Sequence, residues 1–306
     1  MARVIVLTVF LTLLSLGSTA SMRNKLPEQE GRLDILETLL NVNPQDDGTL
    51  IEGDIKMKEL ESNNGSPDDV LSNAAACTSS TCLWEKHEDG HVYVRYVISS
   101  DFSKFEKIFI QDAMKVFEEV TCIRFEELNK REQQLFTNYI NIISATGCWS
   151  YVGRQAGVQD LSLQKNGCMH KQIIQHELLH ALGFYHEHNR SDRDDYVNIF
   201  YENILAGAEN NFKLFTTNNL ETSYDFFSVL QYSNRAFSAN GQMTIQAKHD
   251  PSFEFGFATT MSENDKLRTN RLYNCTTSRT CPSLQEAHRT QKQLTFSDLI
   301  SFSYSI

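Results

Sequence analysis

Apolar side chains recur along this chain with two distinct periods. Between His91 and Ile98 they alternate in a stretch rich in Val and Tyr, which predicts a strand with one buried face. Between Phe102 and Val120 they return every three or four positions and predict an amphipathic helix burying Phe105, Ile108, Phe109, Ala113, Val116 and Phe117. Tyr139 to Ile143 and Leu161 to Leu163 predict further short strands. After Asn198 the texture is mixed, rich in Asn, Phe and Tyr, with no repeat of solenoid or propeller length.

The regions on either side of this body have a different texture. Residues 1–20 run from Met-Ala-Arg through an apolar stretch, Val4 to Leu16, into Gly-Ser-Thr-Ala, the order of a secretory signal peptide. That stretch falls short of the roughly 20 apolar residues a membrane span needs, so export without a membrane anchor is expected. Residues 21–72 hold one plausible helix, Arg32 to Leu40, with Leu33, Ile35, Leu36, Leu39 and Leu40 clustered. A run of breakers, Ser62 to Asp69, then reads as an exposed linker open to nicking. Residues 276–306 are expected to be a C-terminal tail, with one helical possibility at Leu284 to His288 and no assigned role.

Charge narrows the function class. The chain has 28 Lys and Arg against 39 Asp and Glu, a net charge of −11. Residues 21–72 carry twelve acidic and five basic side chains, so most of the excess sits there. Nucleic acid and anionic lipid are poor partners for such a chain. In an exported protein the seven cysteines, Cys77, Cys82, Cys122, Cys148, Cys168, Cys275 and Cys281, read as a disulfide framework with one left over, and spacing alone does not fix the pairing. Asn64, Asn189 and Asn274 head possible glycan acceptor triplets.

The chemistry concentrates in His176-Glu177-Leu178-Leu179-His180-Ala181-Leu182-Gly183-Phe184-Tyr185-His186. Residues four apart share a helical face, so His176 and His180 present two ring nitrogens to one point. Gly183 can take a positive φ at the helix end and turn the chain so that His186 supplies a third. Three neutral imidazoles leave the fourth tetrahedral position of one Zn²⁺ per chain open, which marks a catalytic rather than a structural site. Glu177 is then free to act as general base and acid, taking a proton from the attacking water and giving it to the leaving amine.

This string resembles the elongated zinc motif of the metzincin metallopeptidases. His186-Glu187-His188-Asn189-Arg190-Ser191-Asp192-Arg193-Asp194 resembles the astacin signature, and Tyr224 to Tyr232 is similar to that family's Met-turn segment. The resemblance spans about residues 73–275 and implies a metzincin/astacin-like α+β catalytic domain. Its N-terminal half would hold a twisted, mostly parallel sheet and two long helices, its C-terminal half would be irregular, and an active-site cleft would lie between them. It further implies Tyr232 as the phenol that hydrogen-bonds the reacting oxyanion, a role its O–H donor suits. Glu187 would receive the new N-terminus after activation. Asp54, in Ile51-Glu-Gly-Asp-Ile55, would be the aspartate of an inhibitory propeptide, residues 21–72, that occupies the metal's open position. The implied disulfides are Cys122–Cys275, Cys148–Cys168 and, as in the six-cysteine members that include fish hatching enzymes, Cys77–Cys82.

Two substitutions depart from the pattern: Leu230 stands at the Met-turn methionine and Gln231 at a usual histidine. A Leu for Met exchange conserves volume and should cost under about 1.5 kcal/mol. Val70-Leu71-Ser72-Asn73 offers no basic residue to a trypsin-like activator, so the activating protease stays open. The function implied is a secreted zinc endopeptidase made as a zymogen and acting on extracellular proteins of the matrix or egg envelope. Its peptide substrate would add as a strand to a sheet edge, expected near Gln159 to Gln164. The rival is a silent domain that keeps the fold for binding, favoured by the altered Met-turn and opposed by the intact ligands, base and tyrosine. A structural zinc module would want four protein ligands and no Glu177.

Overall fold

The computed structural model describes residues 33–43, 49–57 and 82–276. The expected signal peptide, the linker, Cys77, the mature start near Asn73 and all but the first residue of the tail lie outside these.

The acidic N-terminal segment contributes α1 (Ile35–Val42) and a hairpin of β1 (Leu50–Ile51) and β2 (Ile55–Lys56). Asp34 caps α1, its carboxylate accepting from the Glu37 N–H at 3.0 Å. Ile35, Leu36 and Leu39 are buried, and each such side chain contributes about 1.5–3 kcal/mol. Ile35 and Leu39 join the larger hydrophobic core while Leu36 joins a second, smaller one. One short helix therefore lies against both halves of the body.

The body begins with β3 (Val92–Ile98), whose strict alternation buries Val92, Val94, Tyr96 and Ile98. The helix α2 (Lys104–Val120) follows, started by a capping box between Ser103 and Glu106. Its core face is Ile110, Ala113, Met114 and Phe117. Phe105, Ile108 and Phe109, expected inside, are 84, 43 and 40% exposed. The helix carries two apolar stripes, and the sheet lies on the side of the row at 110, 113, 114 and 117, which buries that row through the middle two turns.

Strands β4 (Ile123–Glu127), β5 (Tyr139–Ile143), β6 (Cys148–Trp149) and β7 (Val158–Leu163) complete a five-stranded sheet of order β4-β3-β5-β7-β6. The first four are parallel and β6 is antiparallel. The segment near Gln159 to Gln164, expected at the edge, therefore lies one strand inside it: Trp149 and Cys148 of the edge strand β6 pair with Ser162 and Leu163, and Gln159 is buried. A strand this short gives little periodicity by which to recognise it.

Helix α3 (Lys171–Ala181) packs on α2 beneath the sheet, and the chain then turns irregular. Short 3₁₀ turns and a two-stranded sheet of β8 (Val197–Ile199) and β9 (Ile245–Ala247) precede the closing helix α4 (Glu263–Leu272). Disulfides join Cys122 to Cys275 and Cys148 to Cys168, and Cys82 is also disulfide-bonded. Among the described residues no helix is long and apolar enough to cross a membrane.

Candidate active site

Helix α3 is buried along its last turns, from Ile173 to Ala181. It ends in a Schellman turn: Phe184 N–H donates to Leu179 and Gly183 N–H to His180, with Gly183 at φ +110°. The same turn aims the Phe184 carbonyl at His180 Nδ1, 2.7 Å away. His176 Nδ1 lies 2.7 Å from the Val229 carbonyl. A carbonyl only accepts, so both Nδ1 atoms carry the proton and both Nε2 atoms present bare lone pairs.

These lone pairs face one another. His176 Nε2 stands 3.0 Å from His180 Nε2 and 3.3 Å from His186 Nε2. Bare acceptors that close repel unless a cation lies among them, so the donor set fits a metal ion. Asp54 Oδ2 completes the group at 2.8 Å from His176 Nε2 and 3.3 Å from His186 Nε2. The four donor atoms lie within 4.8 Å of one another, and Asp54 Oδ1 is buried without a hydrogen-bond partner.

The tip of the N-terminal hairpin delivers Asp54. Glu52 and Gly53 both take positive φ, +53° and +86°, which turns Glu52 and Asp54 inward together. A Cβ at Gly53 would also come within 3.2 Å of the Leu40 side chain, but the positive φ is what calls for glycine here. Burial opposes ionisation of Asp54, yet His186 and His176 hold its carboxyl well below the ordinary range. His186 is pushed up to about 9 despite burial, because the Asp54 and Glu52 carboxylates both face it. His180 is held low by burial and by the neighbouring rings.

Glu177 is fully buried and neither oxygen has a hydrogen-bond partner. Burial, then the nearby Asp54 charge, raises its carboxyl well above the usual value, a state suited to proton transfer. Tyr232 is also buried and donates to the Glu52 backbone carbonyl, with its ring stacked on His188 at 3.8 Å between centroids.

The Met-turn segment lies under the site. Leu230 is buried and its carbonyl accepts from Glu187 N–H, which ties the segment to the residue after His186. Gln231 donates to the Tyr232 carbonyl. Asp265 of α4 holds the turn in place, accepting from Ser228 Oγ at 2.6 Å and from Val229 N–H at 3.1 Å. Glu187 is buried, accepts from Asp225 N–H at 2.7 Å and pairs with Arg268, with Arg190 3.4 Å away.

Sequence reasoning missed Glu52, Asn43 and Asp265. Glu52 Oε2 lies 2.7 Å from His186 Nδ1. The Asn43 side-chain amide exchanges hydrogen bonds with the Cys148 backbone at 2.6 and 2.7 Å. The one available hint was for Glu52, which lies two residues from Asp54 across a glycine. Once Asp54 enters the site, its neighbour across the turn is close behind.

A parallel sheet backed by a helix that carries two imidazoles, with a third beyond the Schellman turn and an unpartnered carboxylate between, defines a zinc-dependent metalloendopeptidase. The model of the Astacin peptidase family matches residues 79–274, and the chain belongs to that family. It is 43% identical over 244 residues to "High choriolytic enzyme 1" of Oryzias latipes, covering 79% of this chain and 84% of that protein. It is 36% identical over 261 residues to "Low choriolytic enzyme" of the same fish, covering 85% and 90%. Among solved structures, High choriolytic enzyme 1, a hatching enzyme zinc-protease from Oryzias latipes, matches with a TM-score of 0.61 at 45% identity, over 64% of this chain and 96% of that one.

Proposed function

We propose that the chain is a secreted zymogen whose processed form cuts extracellular proteins, and that the described conformation is its latent state. The observation that carries this is Asp54: a carboxylate from the acidic N-terminal segment sits among the three imidazoles where water and substrate have to enter. Residues 1–20 serve as the signal peptide, 21–72 as the prosegment and 73–275 as the catalytic domain, with processing by another protease near Asn73. His176, His180 and His186 would hold the zinc. Two relatives are named for lysis of the chorion, which supports egg-envelope proteins as the substrate class.

Bound zinc supplies Lewis acidity towards the water and the scissile carbonyl. The rest falls to the chain itself. Glu177, free of hydrogen bonds and raised by burial, takes the proton of the attacking water and returns it to the leaving amine. Tyr232, released from Glu52, turns its O–H to the developing oxyanion. The Cys148 and Ser150 backbone groups accept the substrate as an added strand. In the latent form they are taken: Asn43 pairs with Cys148, Ser150 N–H donates to the Asp54 carbonyl at 3.1 Å, and Lys56 N–H donates to the Ser150 carbonyl at 2.8 Å. After processing, Glu187 would take the new N-terminus alongside Arg268 and Arg190.

The test compares hydrolysis of a denatured protein by the processed chain and by its Glu177→Gln form. The expected result is loss of at least about 10²-fold in the variant. Equal rates would overturn the reading and leave a silent binding domain.

A further inference from the structure

Each of the three imidazoles turns Nε2 inward and anchors Nδ1 elsewhere. For His176 and His180 the anchors are the Val229 and Phe184 carbonyls, both part of the body. For His186 the anchor is the Glu52 carboxylate, at 2.7 Å, on the tip of the N-terminal hairpin. The outer shell of the site is thus complete only while the hairpin is docked.

Glu52 is an unusual residue to find there. It is 1% exposed, its Oε1 lacks a hydrogen-bond partner, and its backbone is held at φ +53° without being glycine. A buried carboxylate is costly unless it is paired, and the rare backbone conformation adds strain that the surroundings have to hold; the partner it meets is His186.

We propose that Glu52 is a positioning residue for the metal: its carboxylate fixes the His186 ring and tautomer in the latent chain, so that the prosegment retains the zinc as well as covering it. The inference rests on reading residues 21–72 as a prosegment. A carboxylate on the outer nitrogen of a ligating imidazole orients the ring and strengthens its donor nitrogen, and losing such a partner lowers metal affinity by about 10–100-fold. Processing would remove this support together with Asp54, so the zymogen would guard its zinc during export more firmly than the working enzyme does.

The test is zinc release to a chelator from the unprocessed full chain, comparing wild type with Glu52→Leu, Glu52→Ala and Glu52→Gln. The backbone carbonyl that holds Tyr232 is kept in all of them. Leu and Ala, which cannot accept from Nδ1, are expected to lose zinc about 10–100-fold more readily. Gln keeps an acceptor without the charge and should fall between them and wild type. After processing, all four chains have the same sequence and should release zinc alike. A folded Leu or Ala chain that holds zinc as wild type does overturns the proposal, as does a Gln chain no better than Leu. If the wild-type chain digests protein before processing, the prosegment reading fails and this inference with it.

Discussion

Tyr232 donates its phenol to the backbone carbonyl of Glu52, a residue 180 positions earlier in the chain. The hydroxyl proposed to meet the oxyanion is therefore engaged while the hairpin is docked. In the processed chain Tyr232→Phe should lower kcat by about 10²–10³-fold with little change in KM, the pattern of a donor that acts only in the transition state. Steady-state kinetics on a peptide substrate check this.

If Asp54 imposes the proposed latency, its charge should carry the effect. Asp54→Asn keeps the shape and loses a charge-assisted contact of about 1.5–3 kcal/mol, so peptide hydrolysis by the unprocessed chain should rise about 10–100-fold over wild type. An unchanged background rate would show that the hairpin blocks the site by bulk alone.

Leu230 fills the place of a methionine under the site and is fully enclosed. Leu230→Met should shift stability by under about 1.5 kcal/mol and leave catalysis nearly as it was. Leu230→Ala should cost about 2–5 kcal/mol through the cavity it opens. Denaturant midpoints on the processed chain separate the two.

Asp34 caps α1, and burial raises its carboxyl, only partly countered by the Glu37 N–H, the Ser233 hydroxyl and the Leu36 N–H. The folded chain then binds this proton more tightly than the unfolded one. Stability from the group is fully present below the unfolded value and is lost as pH rises through the folded one. Asparagine caps as well without the charge. Asp34→Asn should therefore unfold at a higher temperature than wild type at pH 7, with the gap closing towards pH 4, in thermal scans of the unprocessed chain.

Asn189 heads a glycan acceptor triplet, yet it is 0% exposed and its amide donates to the carbonyls of Lys213 at 2.7 Å and Asn211 at 3.2 Å. Chain made in a glycosylating secretory host should carry no glycan there. Peptide mass mapping before and after endoglycosidase treatment should leave the Asn189 peptide unchanged.

What could be read in advance follows from how local each signal is. His176 and His180 are four apart on one helix, and Gly183 is next to the turn it makes, so spacing and conformational preference reveal them without knowledge of the fold. Glu52 and Asn43 meet partners 134 and 105 positions away; nothing marks a lone Asn for that, and the nearness of Glu52 to Asp54 across a glycine does not say which ring it meets. The α2 error has the same origin. Phe105, Ile108 and Phe109 are as apolar as the row that packs, and only the position of the sheet decides between the stripes.

Asn43 has one consequence outside catalysis. It covers the margin of the sheet at Cys148 with a side chain, and an amide group, unlike a strand, offers no fresh row of donors and acceptors on its far side. Chains crowded together with Asn43 in this place would therefore find no template at Cys148 for joining sheet to sheet, which lowers the risk of aggregation through that edge.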